Sequence, residues 1–335
     1  MRKRLVLIDG INFFYRGAWS GAEILSYRGE DMAYVLTYFR NLQSMMDRFD
    51  RDGWENTYVI CWDGGYDARL RISSEAVQKG IIPKSYKQER REARETEDPE
   101  EKAKAESFLR QMKVAKELTA KTVIRQAQVP GEEADDVIGS FVEKFKRQYD
   151  EILVVTTDRD YFQLLDRNVS LYNSGKDERR DLAYLKSEYD LENGGQWIDV
   201  GALAGESGKS SDTIYGVPGI GYGYASKLIA EYGTLDNLIA QATEALKDDV
   251  AKCGSAIELY NSVKSKKYRL KHHVKEMYVI AHLDIVRLAR ELKAMRTFLD
   301  VSVPDAEPSM FELGKAFSTM GFPLGDMTIA KLTGM

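Results

Sequence analysis

Four separated stretches of the chain place carboxylates where they could meet. Asp9 follows the apolar run Leu5-Val6-Leu7-Ile8, Asp63 follows the run Thr57 to Cys61, and the triplet Asp158-Arg159-Asp160 follows Ile152 to Thr156. A fourth group, Glu133-Ala134-Asp135-Asp136, opens a segment of helical spacing. Like charges sharing a site repel and raise one another's pKa, so this convergence calls for cations. Magnesium suits the set because it takes oxygen ligands, keeps several waters and usually binds one or two carboxylates directly; manganese would substitute. Two such ions about 4 Å apart activate water and stabilise the leaving oxygen in phosphodiester hydrolysis. All three histidines, His272, His273 and His282, come late, which excludes a histidine general base or histidine-held zinc in the N-terminal half. Taken singly, each acid has a plainer reading: Glu133 or Asp135 favours a helix N-terminus, and Asp158 caps the helix after it.

The elements that must position these acids are legible as alternation. Short β-rich runs at Leu5–Ile8, Thr57–Cys61, Thr122–Ile124, Ile152–Thr156 and Val169–Tyr172 are separated by segments of helical period such as Met32–Phe49 and Ala134–Tyr149. This predicts an α/β fold with a mostly parallel central sheet flanked by helices. In such sheets ligands sit outside the carboxyl ends of the strands, where the acids fall. A haloacid-dehalogenase-type phosphatase also begins with an aspartate after its first strand, but needs a second two residues later, where this chain has Ile11. From Pro83 to about Lys121 both signs of charge mix around a turn-like break at Thr96-Glu97-Asp98-Pro99, which predicts a helical excursion from the core. Beyond about Leu185 helical patterns dominate. The expected division is an α/β core at 1–190, with a helical arch at about 83–118, and a mainly helical DNA-binding lobe at 191–335.

That lobe carries Gly216-Val217-Pro218-Gly219-Ile220-Gly221, followed by small and apolar residues at helical spacing from Tyr222 to Ile229. Glycines before a helix let the backbone approach a phosphate, and the helix N-terminus favours an anion. A dinucleotide-binding reading fails, because the spacing is not G-x-G-x-x-G and no strand precedes it. Either this is a plain interhelical turn, or Gly216, Gly219, Gly221 and Lys227 grip a DNA backbone without reading its sequence.

Composition is that of an ordinary soluble protein: 335 residues, 43% hydrophobic and 30% charged. No stretch approaches the roughly 20 apolar residues that span a bilayer, and two cysteines make no disulfide framework, so no membrane contact and a cytoplasmic location are expected. The net charge of −5 argues against coating nucleic acid, yet lysine and arginine concentrate at 84–94 and 264–275. The second run is equally a solvated helix face.

Together the pieces Leu-Ile-Asp9-Gly-Ile-Asn12, Cys-Trp-Asp63, Tyr86-Lys87-Gln-Glu-Arg90, Glu133-Ala-Asp135-Asp136, Thr-Thr-Asp158-Arg-Asp160 and Gly216-Val-Pro-Gly-Ile-Gly221 resemble the 5′ nuclease superfamily. It includes flap endonucleases, the 5′ nuclease domains of bacterial DNA polymerases, and free-standing bacteriophage 5′-3′ exonucleases and RNase H enzymes. The resemblance implies a PIN-like 5′ nuclease core and a helix-three-turn-helix in the C-terminal lobe. It implies a first metal group of Asp9, Asp63, Glu133 and Asp135 with Asp136 alongside, and a second of Asp158, Asp160 and Asp212. It places Lys87 and Arg90 at the base of the arch against the scissile phosphate, with Tyr86 either stacking on a base or supporting Lys87. A potassium ion at the glycine turn is a further implied ligand. The family pattern Gly-Asp-x-x-Asp-Asn is disturbed in Gly205-Glu206-Ser207-Gly208-Lys209-Ser210-Ser211-Asp212-Thr213. Here Glu206 is the nearest candidate for the first acid, and Thr213 replaces the asparagine.

The function expected is structure-specific cutting near the 5′ end of flap, nicked or RNA-primed DNA, in phage replication or repair within a bacterial host. Replication proteins such as a single-strand-binding protein are the expected partners. Two other readings stand beside it: a DNA-junction binding protein with weakened catalysis, and a PIN-type ribonuclease, which normally lacks the arch and glycine turn.

Overall fold

The computed structural model describes residues 2–18, 26–27, 30–51, 53–206, 208, 211–321 and 324–334; Ser207, Lys209 and Ser210 of the disturbed segment lie outside them. A small hairpin, β2 (Ser26–Tyr27) with β3 (Glu30–Asp31), stands apart from the main sheet. That sheet contains β1 (Lys3–Asp9), β4 (Glu55–Trp62), β5 (Arg125–Gln128), β6 (Glu151–Val155), β7 (Val169–Asn173) and β8 (Glu178–Arg180), in the order β5-β4-β1-β6-β7-β8. All neighbours are parallel except β7 and β8. The chain builds outward from β1 to one edge, then returns to the other side through β6. This reversal puts a crevice at the carboxyl end of β1, where open α/β sheets bind ligands, and Asp9 is the last residue of that strand.

Alternation along β1 divides the core in two. Leu5 and Leu7, with Val59, Cys61, Ile152 and Val154, face α6 (Ala134–Phe145), α8 (Gln196–Ala204) and α13 (Leu283–Lys293). Val6 and Ile8, with Tyr58, Ile60, Leu153 and Val155, face α1 (Gly10–Ala18), α2 (Ala33–Asp50), α14 (Met310–Thr319) and α15 (Asp326–Thr333). Covering both faces is why these strands read as nearly unbroken apolar runs. The arch region consists of α4 (Gln88–Glu95) and α5 (Pro99–Thr119), the latter opened by a capping box at Asp98 and Glu101. Past β8 come α7 (Leu182–Tyr189) and α8, then α9 (Tyr222–Tyr232), which follows the glycine turn. A third cluster is built by α10 (Leu235–Cys253), α11 (Ala256–Lys264) and α12 (Val274–Ile280).

Two boundaries differ from expectation. The strand expected at Thr122–Ile124 lies at Arg125–Gln128, because Thr122 closes a turn on α5 and Val123 donates to the Leu332 carbonyl (2.9 Å). The β-branched residues thus serve packing between layers, while the polar edge strand carries little β signal. The helix expected to reach Tyr149 ends at Phe145.

Candidate active site

The carboxyl edge of the sheet gathers the acids by different local devices. Asp9 is buried and accepts from the Asn12 N–H and the Thr156 hydroxyl, each at 3.2 Å. Burial, with repulsion from Asp63, raises its pKa from 3.8 to about 6. Asp63, just past β4, accepts the Ala134 N–H at 2.8 Å and so caps α6. Glu133, Asp135 and Asp136 at the start of α6 bring one ligand atom each within 4.8 Å of one another. Asp158 caps the 3₁₀ turn Arg159–Leu164 through the Asp160 N–H, and burial with repulsion from Asp160 lifts it to about 7.

The distribution of basic partners separates these acids. Arg69 on α3 (Asp67–Gln78) is buried and donates to Glu133 (2.6 Å) and to both oxygens of Asp136 (2.6 and 2.9 Å), with Asp135 at 3.5 Å. Its Nε donates to the Leu292 carbonyl. Asp9, Asp63 and Asp158 make no ion pair among the described residues. Burial holds Asp135 well above the ordinary range even with Arg69 nearby. Oxygen donors without a protein cation, at the crevice of the sheet, are a set that a divalent ion fits.

The second group is arranged differently from its expected form. Lys293, at the end of α13, places its ammonium 2.8 Å from Asp160 and also on Glu206, with the Tyr222 hydroxyl 3.2 Å from Glu206. Burial alone would lower its pKa, but Asp160 and Glu206 outweigh that and raise it. Asp212, expected with Asp158 and Asp160, accepts from the Tyr86 hydroxyl (3.0 Å) and faces Lys87 and Arg90 at 3.8 and 3.9 Å, while still adding to the repulsion on Glu206. A divalent ion therefore does not fit between Asp160 and Glu206 while the ammonium is there.

At the foot of the arch Lys87 caps α4 with a left-handed backbone (φ 55°) held by its N–H on the Asp212 carbonyl (2.8 Å). Its ammonium bonds Glu133 and lies 5.2 Å from the ring centres of both Tyr66 and Tyr86. Tyr86 is only 2% exposed and its hydroxyl bonds Glu133 and Asp212. A ring this buried offers no free face for stacking on a base, and it lies against the Lys87 ammonium. Arg90 is more open.

Gly216 crosses Gly205 so closely that a Cβ there would lie 2.5 Å from the Gly205 nitrogen. Gly219 takes φ 78°, its carbonyl accepting from Lys275 (2.8 Å), so an ammonium holds one carbonyl of the turn where potassium is expected. Gly221 caps α9, and Lys227 is exposed on that helix. Arg69 and Lys293 were not found by sequence reasoning. Arg69 had a faint signal, a basic residue six positions after Asp63; Lys293 had none.

Known proteins resemble this chain in sequence and in fold. Residues 4–190 match the family described as 5′-3′ exonuclease, N-terminal resolvase-like domain, and residues 193–312 match 5′-3′ exonuclease, C-terminal SAM fold. The chain is 31% identical over 244 residues to the 5′-3′ exonuclease of Bacillus subtilis, covering 70% of this chain and 73% of that one. It is 28% identical over 305 residues to the thermostable DNA polymerase I of Thermus thermophilus, covering 91% of this chain but spanning only 30% of the polymerase. Among solved structures, the zinc-bound T5 5′-exonuclease superposes with a TM-score of 0.66 at 20% identity, covering 99% of this chain and 97% of that one. The catalytic core of Rad2 with a DNA substrate gives 0.57 at 16%, covering 99% and 92%.

Proposed function

Because this chain belongs to the 5′-3′ exonuclease family, we propose that it is a magnesium-dependent 5′ nuclease acting on flap, nicked or RNA-primed DNA. The observation that carries this reading is the set of acids without an ion pair among the described residues, Asp9, Asp63 and Asp158, at the carboxyl edge of the sheet. Asp9, Asp63, Asp135 and Asp158 would hold the divalent ion, manganese substituting for magnesium. Bound there, such an ion supplies Lewis acidity and a water of lowered pKa. Lys87, fixed by Glu133 and two tyrosine rings, and Arg90 beside it present positive charge to the scissile phosphate, where charge develops in the transition state. α4 and α5 admit a single-stranded 5′ end, and Gly216, Gly219 and Gly221 with Lys227 hold the duplex by its phosphates, so selection is by shape. The two-ion scheme needs a second positive charge, and Asp158, Asp160, Asp212 and Glu206 border that position. Potassium at the glycine turn would strengthen the duplex grip. The work served is primer removal or repair in a phage or bacterial cytoplasm, beside replication proteins such as a single-strand-binding protein.

The test is cleavage of four 5′-labelled substrates: a DNA flap, a nicked duplex, an RNA-primed duplex and free single-stranded RNA. Short 5′ products from the first three with magnesium, and none with EDTA, are expected. Preferential cutting of free RNA indicates a PIN-type ribonuclease. Tight flap binding without product indicates a junction-binding protein, the reading that the irregular Glu206 segment motivates.

A further inference from the structure

Lys293 carries an ammonium into the second carboxylate group, and we infer that this tethered cation takes the place of one of two metal ions, so that the chain holds a single divalent ion. The inference rests on the nuclease reading above and deepens it by fixing the ion count. The Nζ atom lies 2.8 Å from Asp160 and also bonds Glu206, with its side chain 3% exposed. An ammonium has three N–H donors, and two are engaged by carboxylates. These are the oxygens that a metal in this position would need.

The placement is built into the fold along the whole side chain. The stem runs over Gly201 of α8, where an added Cβ would lie 3.3 Å from both Cγ and Cδ and 3.5 Å from Cε. Any larger residue at 201 would press on the slot. The end of α13 is clamped on both sides by one amide: Gln163 donates to the Lys293 carbonyl (3.1 Å) and accepts from the Met295 N–H (2.8 Å). Surface lysines have neither slot nor clamp. A metal entering between Asp160 and Glu206 would have to strip a buried ammonium of both its counter-charges, leaving that charge unpaired. Elsewhere in the crevice the pairing is partial: Arg69 engages Glu133, Asp136 and, at 3.5 Å, Asp135, and Lys87 engages Glu133, but Asp9, Asp63 and Asp158 have no ion pair among the described residues and are left for the one divalent ion. Lys293 is accordingly a positioning residue. It acts through Asp160 and Glu206, holding both carboxylates and supplying the fixed positive charge that a second ion would otherwise bring.

The experiment counts ions rather than turnovers. Manganese binding to the full chain without DNA, by calorimetry or by the electron paramagnetic resonance of free Mn²⁺, should give one ion per wild-type chain. Lys293→Met keeps the stem and removes the charge, and should give two; Lys293→Arg should return the count to one. Circular dichroism verifies that each variant is folded, and if Lys293→Met does not fold, the wild-type count decides alone. Two ions on the wild-type chain, or one on folded Lys293→Met, overturn the inference. A chain that cuts flap DNA yet binds two ions refutes the ion count and leaves the nuclease reading standing. A chain that binds one ion and cuts nothing does the reverse.

Discussion

Asp9 is a buried acid and Asp158 a crowded one beside Asp160, neither in an ion pair among the described residues, and that gives the free protein a pH signature. Their pKa values rise from 3.8 to about 6 and about 7. In that window the folded chain binds more protons than the unfolded one, so these groups make stability fall as pH rises from about 4 to about 7. A divalent ion offsets the repulsion left above pH 7. Magnesium should therefore raise the melting temperature more at pH 8 than at pH 5, relative to EDTA; equal gains contradict the assignment. Lys87→Ala should slow single-turnover cutting about 100- to 1,000-fold while changing flap affinity far less, which parallel binding and cleavage measurements separate. Asp9, Asp63 and Asp158 were legible because each follows an apolar run that must be a strand. Lys293 and Arg69 were not, because their carboxylate partners are at least 87 and 64 positions away, respectively, and only tertiary packing brings them together.

Among the elements, the turn into the glycine segment carries strain at Thr213, where the sequence showed only the replacement of an expected asparagine. Thr213 is buried and left-handed at φ 59°, a conformation that asparagine tolerates and a β-branched residue resists. Thr213→Asn should raise unfolding stability by about 1 kcal/mol, read from urea denaturation, and an unchanged midpoint would contradict the strain. The strands β1, β4, β6 and β7 were visible from their apolar runs, and the arch from its mixed charge and the Asp98-Pro99 break. β5 was misplaced because its residues are polar, as an edge strand allows, whereas the β-branched residues before it belong to the packing of α5 against α15.

At the scale of the molecule, Arg69 links three layers: α3, the acid-rich start of α6 through Glu133 and Asp136, and α13 through the Leu292 carbonyl. Arg69→Met leaves buried carboxylates uncompensated and should cost roughly 3–5 kcal/mol, measured as a loss of unfolding free energy. A loss below about 1 kcal/mol would mean the pairs are screened. The return of α14 and α15 to the core beside α2 was not legible, since their amphipathic pattern names no partner. The central claim, metal-dependent cutting at the 5′ end by acids of the sheet crevice, meets its most direct test in one measurement. Single-turnover cleavage of a 5′-labelled flap is followed with magnesium for wild type and Asp9→Asn at equal bound fraction. The account predicts short 5′ products from wild type and a rate at least about 100-fold lower from the variant. Equal rates, or wild-type products that persist in EDTA, would contradict it.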